Sequence, residues 1–156
     1  MKILTGNQTK EADRYTIDNE PIGSIALMER ASGIIAQWID KNIDKKNPLL
    51  FLIGKGNNGG DGLAVARILY HSGYNCSVYV PFEKEFLSED CLYNRNRLPT
   101  GINLTEDIND ISNNAVIIDA LLGTGVTGSI KAPLSSIIEK INTLHNKVIS
   151  IDLPSG

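Results

Sequence analysis

Apolar residues recur along this chain with two different spacings. Short, nearly continuous apolar runs predict β-strands, and they lie at 49–53, 76–80, 115–119 and 147–152. Apolar positions spaced as on one face of a helix predict helices at 7–19, 22–42, 60–72, 85–97 and 132–145. On the second of these helices we expect Met28 and Trp38 to belong to the core.

The alternation of strand and helix predicts an α/β fold. Because the strand runs are apolar at nearly every position, both faces of each strand should be covered. We therefore expect a mostly parallel sheet with helices on each side. The length of 156 residues, with 42% hydrophobic and 21% charged residues, fits one domain spanning residues 1–156.

The net charge and the length of the apolar runs argue against nucleic acid and membranes as partners of the chain. Fifteen basic and eighteen acidic residues give a net charge of −3, so no broad basic surface is available for nucleic acid. No apolar run approaches bilayer length and the N-terminus lacks a signal-peptide core, which predicts a cytoplasmic protein without a membrane span. Cys76 and Cys91 form no CxxC motif and are expected to be free thiols.

Polar or glycine-rich loops follow three of the four predicted strands. They read GKGNNGGDG after the first, DALLGTGVTGS after the third and DLPSG after the last. Because the carboxyl ends of parallel strands lie at one edge of a sheet, where ligands of such folds bind, the three loops predict one site. Taken singly, each loop also has a purely structural interpretation: glycine turns, an Asp61 helix cap, an Asp119 strand-end cap and a Pro154 turn.

The first loop contains more glycine than a turn requires, which suggests a ligand. Its glycines fit the spacing G-x-G-x-x-G, but the second strand does not end in the acidic residue that holds a ribose in dehydrogenases. No G-K-[ST] follows these glycines, so the loop is not a Walker A phosphate-binding loop either. What remains is a cradle for an anion and a sugar, in which Asn57, Asn58 and Asp61 offer hydrogen bonds.

The candidates for acid–base catalysis in these loops are carboxylates. His71 and His145 lie near predicted helix ends, where the helix dipole explains them, and Ser155 does not lie in a nucleophile elbow. Asp61, Asp119 and Asp152 remain. Asp152 ends an apolar strand, so we expect it to have the most strongly tuned environment.

The ordered motifs GKGNNGGDGLAVAR, IIDALLGTGVTG and IDLPSG, preceded by LTGNQTKEADRYTI and ALMERAS, closely resemble the NAD(P)H-hydrate epimerase family, the N-terminal domain of bacterial nicotinamide nucleotide repair proteins. The resemblance runs from Leu4 to Gly156. It implies a Rossmann-like three-layer αβα sandwich. It also implies an isomerase that interconverts the R and S epimers of hydrated NADH or NADPH, in which water has added at C6 of the nicotinamide ring.

The resemblance also implies roles for individual residues. Asp152 is expected to be the catalytic acid–base residue and to contact the substrate. The remaining substrate-binding residues are Asn57, Asn58, Gly59, Gly60, Asp61, Gly123, Thr124, Gly125, Val126, Thr127, Gly128 and Ser129. A potassium ion is expected at Asn58, Asp119 and Ser155, which carry oxygen donors suited to a hard cation.

Further expectations concern what accompanies the domain. The family domain continues beyond its D-x-P-S-G motif, so we expect the sheet to be truncated at its C-terminal end. A homodimer is expected, together with a fused or separate ADP/ATP-dependent dehydratase that acts on the S epimer. The alternative is a non-catalytic dimerisation or ligand-binding scaffold of the same fold, as in messenger-RNA decapping scaffolds; the intact N-N-G-G-D and D-x-P-S-G motifs favour the enzyme.

Overall fold

A parallel β-sheet lies at the centre of the molecule. The structure is a computed structural model that describes residues 4–109 and 111–156. Within these residues five strands form one sheet in the order β3-β2-β1-β4-β5, and every neighbouring pair is parallel. The strands are β1 Leu49–Ile53, β2 Cys76–Tyr79, β3 Asn103–Thr105, β4 Val116–Ala120 and β5 Val148–Ser150. The α/β class predicted from the sequence is confirmed.

Five α-helices accompany the described strands: α1 Gly6–Asn19, α2 Ser24–Asn42, α3 Asn57–His71, α4 Glu89–Asn96 and α5 Leu134–Asn142. The first helix starts with a reciprocal cap. The Thr5 hydroxyl accepts the Gln8 backbone N–H, and the Gln8 side chain accepts the Thr5 backbone N–H. This arrangement satisfies two of the N–H groups that a helix start leaves unpaired.

Alternate residues of the central strands pack into two separate cores. On β1, Phe51 and Ile53 belong to the larger core, which also contains Ile39 of α2 and Leu63 of α3. Leu50 and Leu52 point to the opposite side, where the core partners include Ile137 and Ile141 of α5. The sheet thus has helices on both faces, and the three-layer arrangement is confirmed. All five residues of both β1 and β4 are buried, as their apolar runs predict.

The strand order reverses direction next to β1. From β1 the chain crosses to β2 and β3 on one side and returns to β4 and β5 on the other. β1 and β4 lie in register, with Leu52 opposite Asp119 and Ile53 opposite Ala120. The two loops that follow therefore start side by side at the point where open α/β sheets form a ligand crevice.

Several predicted boundaries need correction. The helix expected at 85–97 is a 3-10 turn, Lys84–Phe86, followed by α4, because Ser88 accepts the Cys91 N–H and starts a new helix. The strand expected at 147–152 is only three residues long. β3 was not predicted, since its three residues are largely exposed and leave no apolar run.

Trp38 was wrongly predicted to be a core residue. Its side chain is 49% exposed, whereas Met28 is 8% exposed and belongs to the core as expected. The buried side of α2 carries Met28, Ser32, Ala36 and Ile39. Trp38 precedes Ile39 and so lies about 100° away around the helix. Among the described residues, no helix is long and apolar enough to cross a bilayer.

Candidate functional site

The loops after β1 and β4 touch through their backbones. The Gly54 N–H donates to the Ala120 carbonyl at 3.0 Å. A Cβ atom on Gly54 would lie 1.9 Å from the Leu121 carbonyl oxygen, well inside van der Waals contact. Only glycine permits this approach of the two loops.

Other glycines of the first loop serve to pack α3. A Cβ on Gly59 would lie 2.0 Å from the Gly54 carbonyl oxygen, and one on Gly62 would lie 2.6 Å from the Ala120 Cβ. A Cβ on Gly60 would contact the Met28 thioether at 3.0 Å. The glycine excess that suggested a ligand thus has a packing cause at several positions, while Gly56 has open space around its Cα.

The carboxylate of Asp119 joins the second and third loops. Asp119 is 5% exposed at the end of β4. Its Oδ1 accepts the Leu121 N–H at 3.1 Å and the Ser155 hydroxyl at 2.8 Å. Its Oδ2 accepts the Ser155 N–H at 2.9 Å and the Ser150 hydroxyl at 3.2 Å. The structural interpretation of Asp119 as a strand-end cap is therefore correct at Leu121, and the same carboxylate holds the D-L-P-S-G loop.

The backbone of Leu122 connects all three loops. Its N–H donates to the Ser155 hydroxyl oxygen at 3.2 Å, and its carbonyl accepts the Asn58 side-chain N–H at 2.7 Å. The remaining oxygen of that side chain, Asn58 Oδ1, is buried and has no hydrogen-bond partner among the described residues. A buried oxygen without a donor is costly, so a water molecule or a bound ion is expected to contact it.

Asp152 reaches from the third loop to the second. Its Oδ2 accepts the Thr124 N–H at 2.8 Å, and a Cβ on Gly123 would lie 2.8 Å from the same oxygen. The rest of the second loop, from Gly125 to Ser129, is exposed. Asp152 itself is exposed two residues beyond β5. The expectation that Asp152 ends an apolar strand is thus wrong, because β5 stops at Ser150.

Burial strongly perturbs the carboxyl of Asp61. It lies half-buried on α3, and burial raises its pKa to about 7, assisted by the negative charges of Asp152, Asp13 and Asp90. The hydroxyl of Ser32, a fully buried residue of α2, acts in the opposite direction. Sequence reasoning missed Ser32. The available signal was a polar residue on the apolar face of a predicted helix.

The structure brings most of the predicted site residues to one edge of the sheet. Asn58, Asp119 and Ser155 are linked through Leu122, while Asp152 and Thr124 lie alongside at Gly123. Asn57 is exposed at the start of α3, and Gly59 and Gly60 are buried beneath it. The functional roles of all these residues stay predictions.

A parallel sheet with three polar loops joined at its carboxyl edge defines an α/β ligand-binding domain. Residues 24–156 match the family described as YjeF-related protein N-terminus. Since this match covers most of the chain, the protein belongs to that family.

Relatives of the chain carry consistent names. A protein of Lentilactobacillus buchneri named NAD(P)H-hydrate epimerase is 36% identical over 162 residues, which cover 99% of this chain and 73% of the relative. An NAD(P)H-hydrate epimerase of Limosilactobacillus fermentum is 30% identical, with 99% and 75% covered. The bifunctional NAD(P)H-hydrate repair enzyme Nnr of Salinibacter ruber is 34% identical, with 99% of this chain and 32% of the relative covered.

The fold also recurs in a solved structure. The crystal structure of the yeast protein YNL200c superimposes with a TM-score of 0.77 over 100% of this chain and 72% of the yeast chain. At 23% identity this likeness supports the fold alone.

The contact between the first two loops predicts that alanine substitutions at Gly54 and Gly56 differ strongly in their effect on stability. Gly54→Ala should lower the free energy of unfolding by about 2 kcal/mol or more, because the new methyl meets backbone atoms that have no room to withdraw. Gly56→Ala should cost less than about 1 kcal/mol, since its Cβ would meet nothing within 4 Å and its φ of −93° suits alanine. Urea unfolding of both variants measures the difference. Equal losses would mean that the loops are not held as closely as described.

Proposed function

We propose that this protein is an NAD(P)H-hydrate epimerase, which interconverts the R and S epimers of hydrated NADH and NADPH in nicotinamide cofactor repair. The observation that carries the proposal is the joining of the three family motifs at one sheet edge through Asp119 and Leu122. The names of relatives at 30% to 36% identity over nearly the whole chain support the same activity.

The proposal assigns binding to the first two loops. Residues 57–61 and 123–129 would contact the dinucleotide, largely through backbone N–H groups and the Asn57 amide. The second loop contains no basic side chain, so its contribution to phosphate binding comes from backbone amides. Thr124 contributes in another way, since its N–H fixes one oxygen of Asp152.

Asp152 is assigned the acid–base role. Epimerisation at C6 requires that the carbon lose and regain its configuration, by ring opening or by departure and return of the hydroxyl group. Both routes need a group that takes up a proton. Asp152 is exposed to a ligand, and the Thr124 N–H holds one of its oxygens while the other stays available as an acceptor.

The purified protein should accelerate equilibration of the two epimers without consuming ATP or reducing equivalents. Asp152→Asn should lower kcat by about 100-fold or more with little change in substrate binding, because the amide keeps the shape but takes up no proton. Chromatographic separation of the epimers over time measures both. Asp18→Asn, at an exposed position of α1, is the matched control and should keep full activity.

Two results would contradict these assignments. Equilibration at the spontaneous rate would eliminate the enzyme and favour the scaffold alternative. A loss that falls entirely on substrate binding in Asp152→Asn would make Asp152 a binding residue only.

We also propose that Asn58, Asp119 and Ser155 bind one potassium ion. The donor set fits, since Asn58 Oδ1 is buried and has no hydrogen-bond partner within residues 4–109 and 111–156. The Asn58 amide and the Ser155 hydroxyl both bond the Leu122 backbone, and the Ser155 hydroxyl also bonds the Asp119 carboxylate. One carboxylate with neutral oxygens suits a large monovalent ion better than magnesium, which demands compact octahedral geometry. When bound, the ion would balance the charge of Asp119.

Rubidium tests the potassium proposal without relying on activity. Crystals grown with rubidium should show an anomalous peak between Asn58, Asp119 and Ser155. The peak should disappear in Asn58→Ala, which removes one donor, and should persist in Asn57→Ala, which alters the exposed neighbour. A wild-type map without that peak would defeat the proposal.

A homodimer is proposed from an uncovered face of α2. Ala31, Ile34 and Trp38 lie on one stripe of this helix at spacings of three and four residues, with Ile34 65% and Trp38 49% exposed. A second copy of the chain would bury this stripe. α1 buries none of its own residues and exposes Tyr15 at 69%, so it adds further apolar surface.

Trp38→Glu should shift the protein from dimer to monomer, because it places a charge on the stripe that the second copy would bury. Sedimentation velocity at several concentrations measures the association. Phe86→Glu, at a 63% exposed aromatic residue outside α2, should leave the dimer intact. A wild-type protein that sediments as a monomer at all concentrations would contradict the proposal.

A cytoplasmic location and a dehydratase partner complete the proposal. Cys76 and Cys91 are both free and buried, as suits a reducing compartment. The name of the Salinibacter ruber relative describes a bifunctional repair enzyme. We therefore propose that the S epimer produced here is consumed by an ADP/ATP-dependent dehydratase, either fused to this domain or separate.

A further inference from the structure

The first residue of α1 lies against the second loop of the site. A Cβ atom on Gly6 would be 3.0 Å from both the Cβ and the carbonyl oxygen of Thr124, and 3.3 Å from the Thr124 hydroxyl oxygen. Carbon atoms in optimal contact are about 3.5 to 4.0 Å apart. The absence of a side chain on Gly6 therefore lets the helix and the loop approach more closely than another residue would allow.

The cap of α1 fixes the direction in which the helix starts. Thr5 and Gln8 exchange two hydrogen bonds, at 2.9 Å and 3.4 Å. Gly6 directly follows the capping residue and is half-buried, although α1 buries none of its residues fully. Alanine is a much better helix former than glycine. Helix propensity thus does not account for the glycine at this position, whereas the contact with Thr124 does.

Thr124 is also the residue that holds the Asp152 carboxylate. Its N–H donates to Asp152 Oδ2 at 2.8 Å, and a Cβ on Gly123 would lie 2.8 Å from the same oxygen. Thr124 therefore meets α1 through its carbonyl and side chain, and Asp152 through its N–H. Because residues 125–129 are exposed, the packed part of this loop is its start. A displacement of Thr124 by α1 would disturb the hydrogen bond that orients Asp152.

We propose that Gly6 is a positioning residue of the epimerase. By allowing α1 to pack on Thr124, it keeps the Thr124 N–H directed at Asp152 Oδ2. This inference rests on the function proposed above. It gives α1, which contains none of the residues assigned to binding, catalysis or the metal, a role in the reaction. The role is indirect, since Gly6 acts on Asp152 only through Thr124.

The amide proton of Thr124 tests this contact without relying on activity. A hydrogen bond to a carboxylate is a strong one, so Asp152→Asn should move the Thr124 amide proton signal upfield in a ¹H–¹⁵N NMR spectrum. Gly6→Ala should move the signal in the same direction, because the new methyl group displaces Thr124 and weakens the bond. Gly33→Ala is the matched control. It changes another helical glycine, whose Cβ would meet nothing within 4 Å, and should leave the signal in place.

The epimerisation rate should depend on the same contact. Gly6→Ala should lower kcat by about 10-fold with a smaller change in KM, because a small misplacement of a catalytic group is costly. Gly6→Val, which adds a larger side chain, should lower kcat further. In the Asp152→Asn background, Gly6→Ala should have almost no additional effect, because the carboxylate that it positions is already gone. Gly33→Ala should keep full activity.

The outcomes separate this role from the proposed function. If Asp152→Asn moves the Thr124 signal but Gly6→Ala does not, in a protein that epimerises, the role of Gly6 alone is overturned. Equal losses of kcat from Gly6→Ala in the wild-type and Asp152→Asn backgrounds would also overturn it, because a general structural defect lowers both rates alike. Wild-type protein that does not epimerise, while its Thr124 signal responds to Gly6→Ala, would overturn the proposed function and with it the role of Gly6 in the reaction.

Discussion

The buried carboxylate of Asp119 organises the carboxyl edge of the sheet. It is the penultimate residue of a fully buried strand and accepts hydrogen bonds from Leu121, Ser150 and Ser155. A carboxylate at this depth is tolerated only when its oxygens are satisfied. The Ser155 hydroxyl therefore has a fixed place, from which it accepts the Leu122 N–H and so places the carbonyl that binds Asn58. Three segments distant in sequence thus share one set of contacts.

Glycine residues let the loops approach closely enough to make these contacts. The loops after β1 and β4 approach so closely that a Cβ on Gly54 would overlap the Leu121 carbonyl. The start of α3 packs on the same loop through Gly59 and on β4 through Gly62. This close packing places Asn58, which contacts Leu122, on a helix packed against the sheet rather than on a loop. Side chains held in this way present a preformed surface to a ligand.

Periodicity predicted the architecture because β1 and β4 are buried on both faces and their apolar runs are continuous. The same reasoning missed β3, whose edge position leaves Leu104 51% exposed and requires no apolar run. The position of each loop after a predicted parallel strand also indicated that the three loops meet. The contact between Ser32 and Asp61 could not be predicted from the sequence. It depends on how α2 crosses α3, and no local sequence pattern specifies that crossing.

The contrast between Asp61 and Asp152 follows from where each carboxyl sits relative to packed helices. Asp61 belongs to the helix that packs most deeply, so its carboxyl loses water and lies among the charges of three other segments. Asp152 follows the short strand β5 and stays in contact with solvent. The distance of an acid from an apolar strand therefore does not identify Asp61, the carboxyl whose pKa burial raises. Burial against neighbouring helices, which the sequence encodes only through the fold, raises the pKa of Asp61.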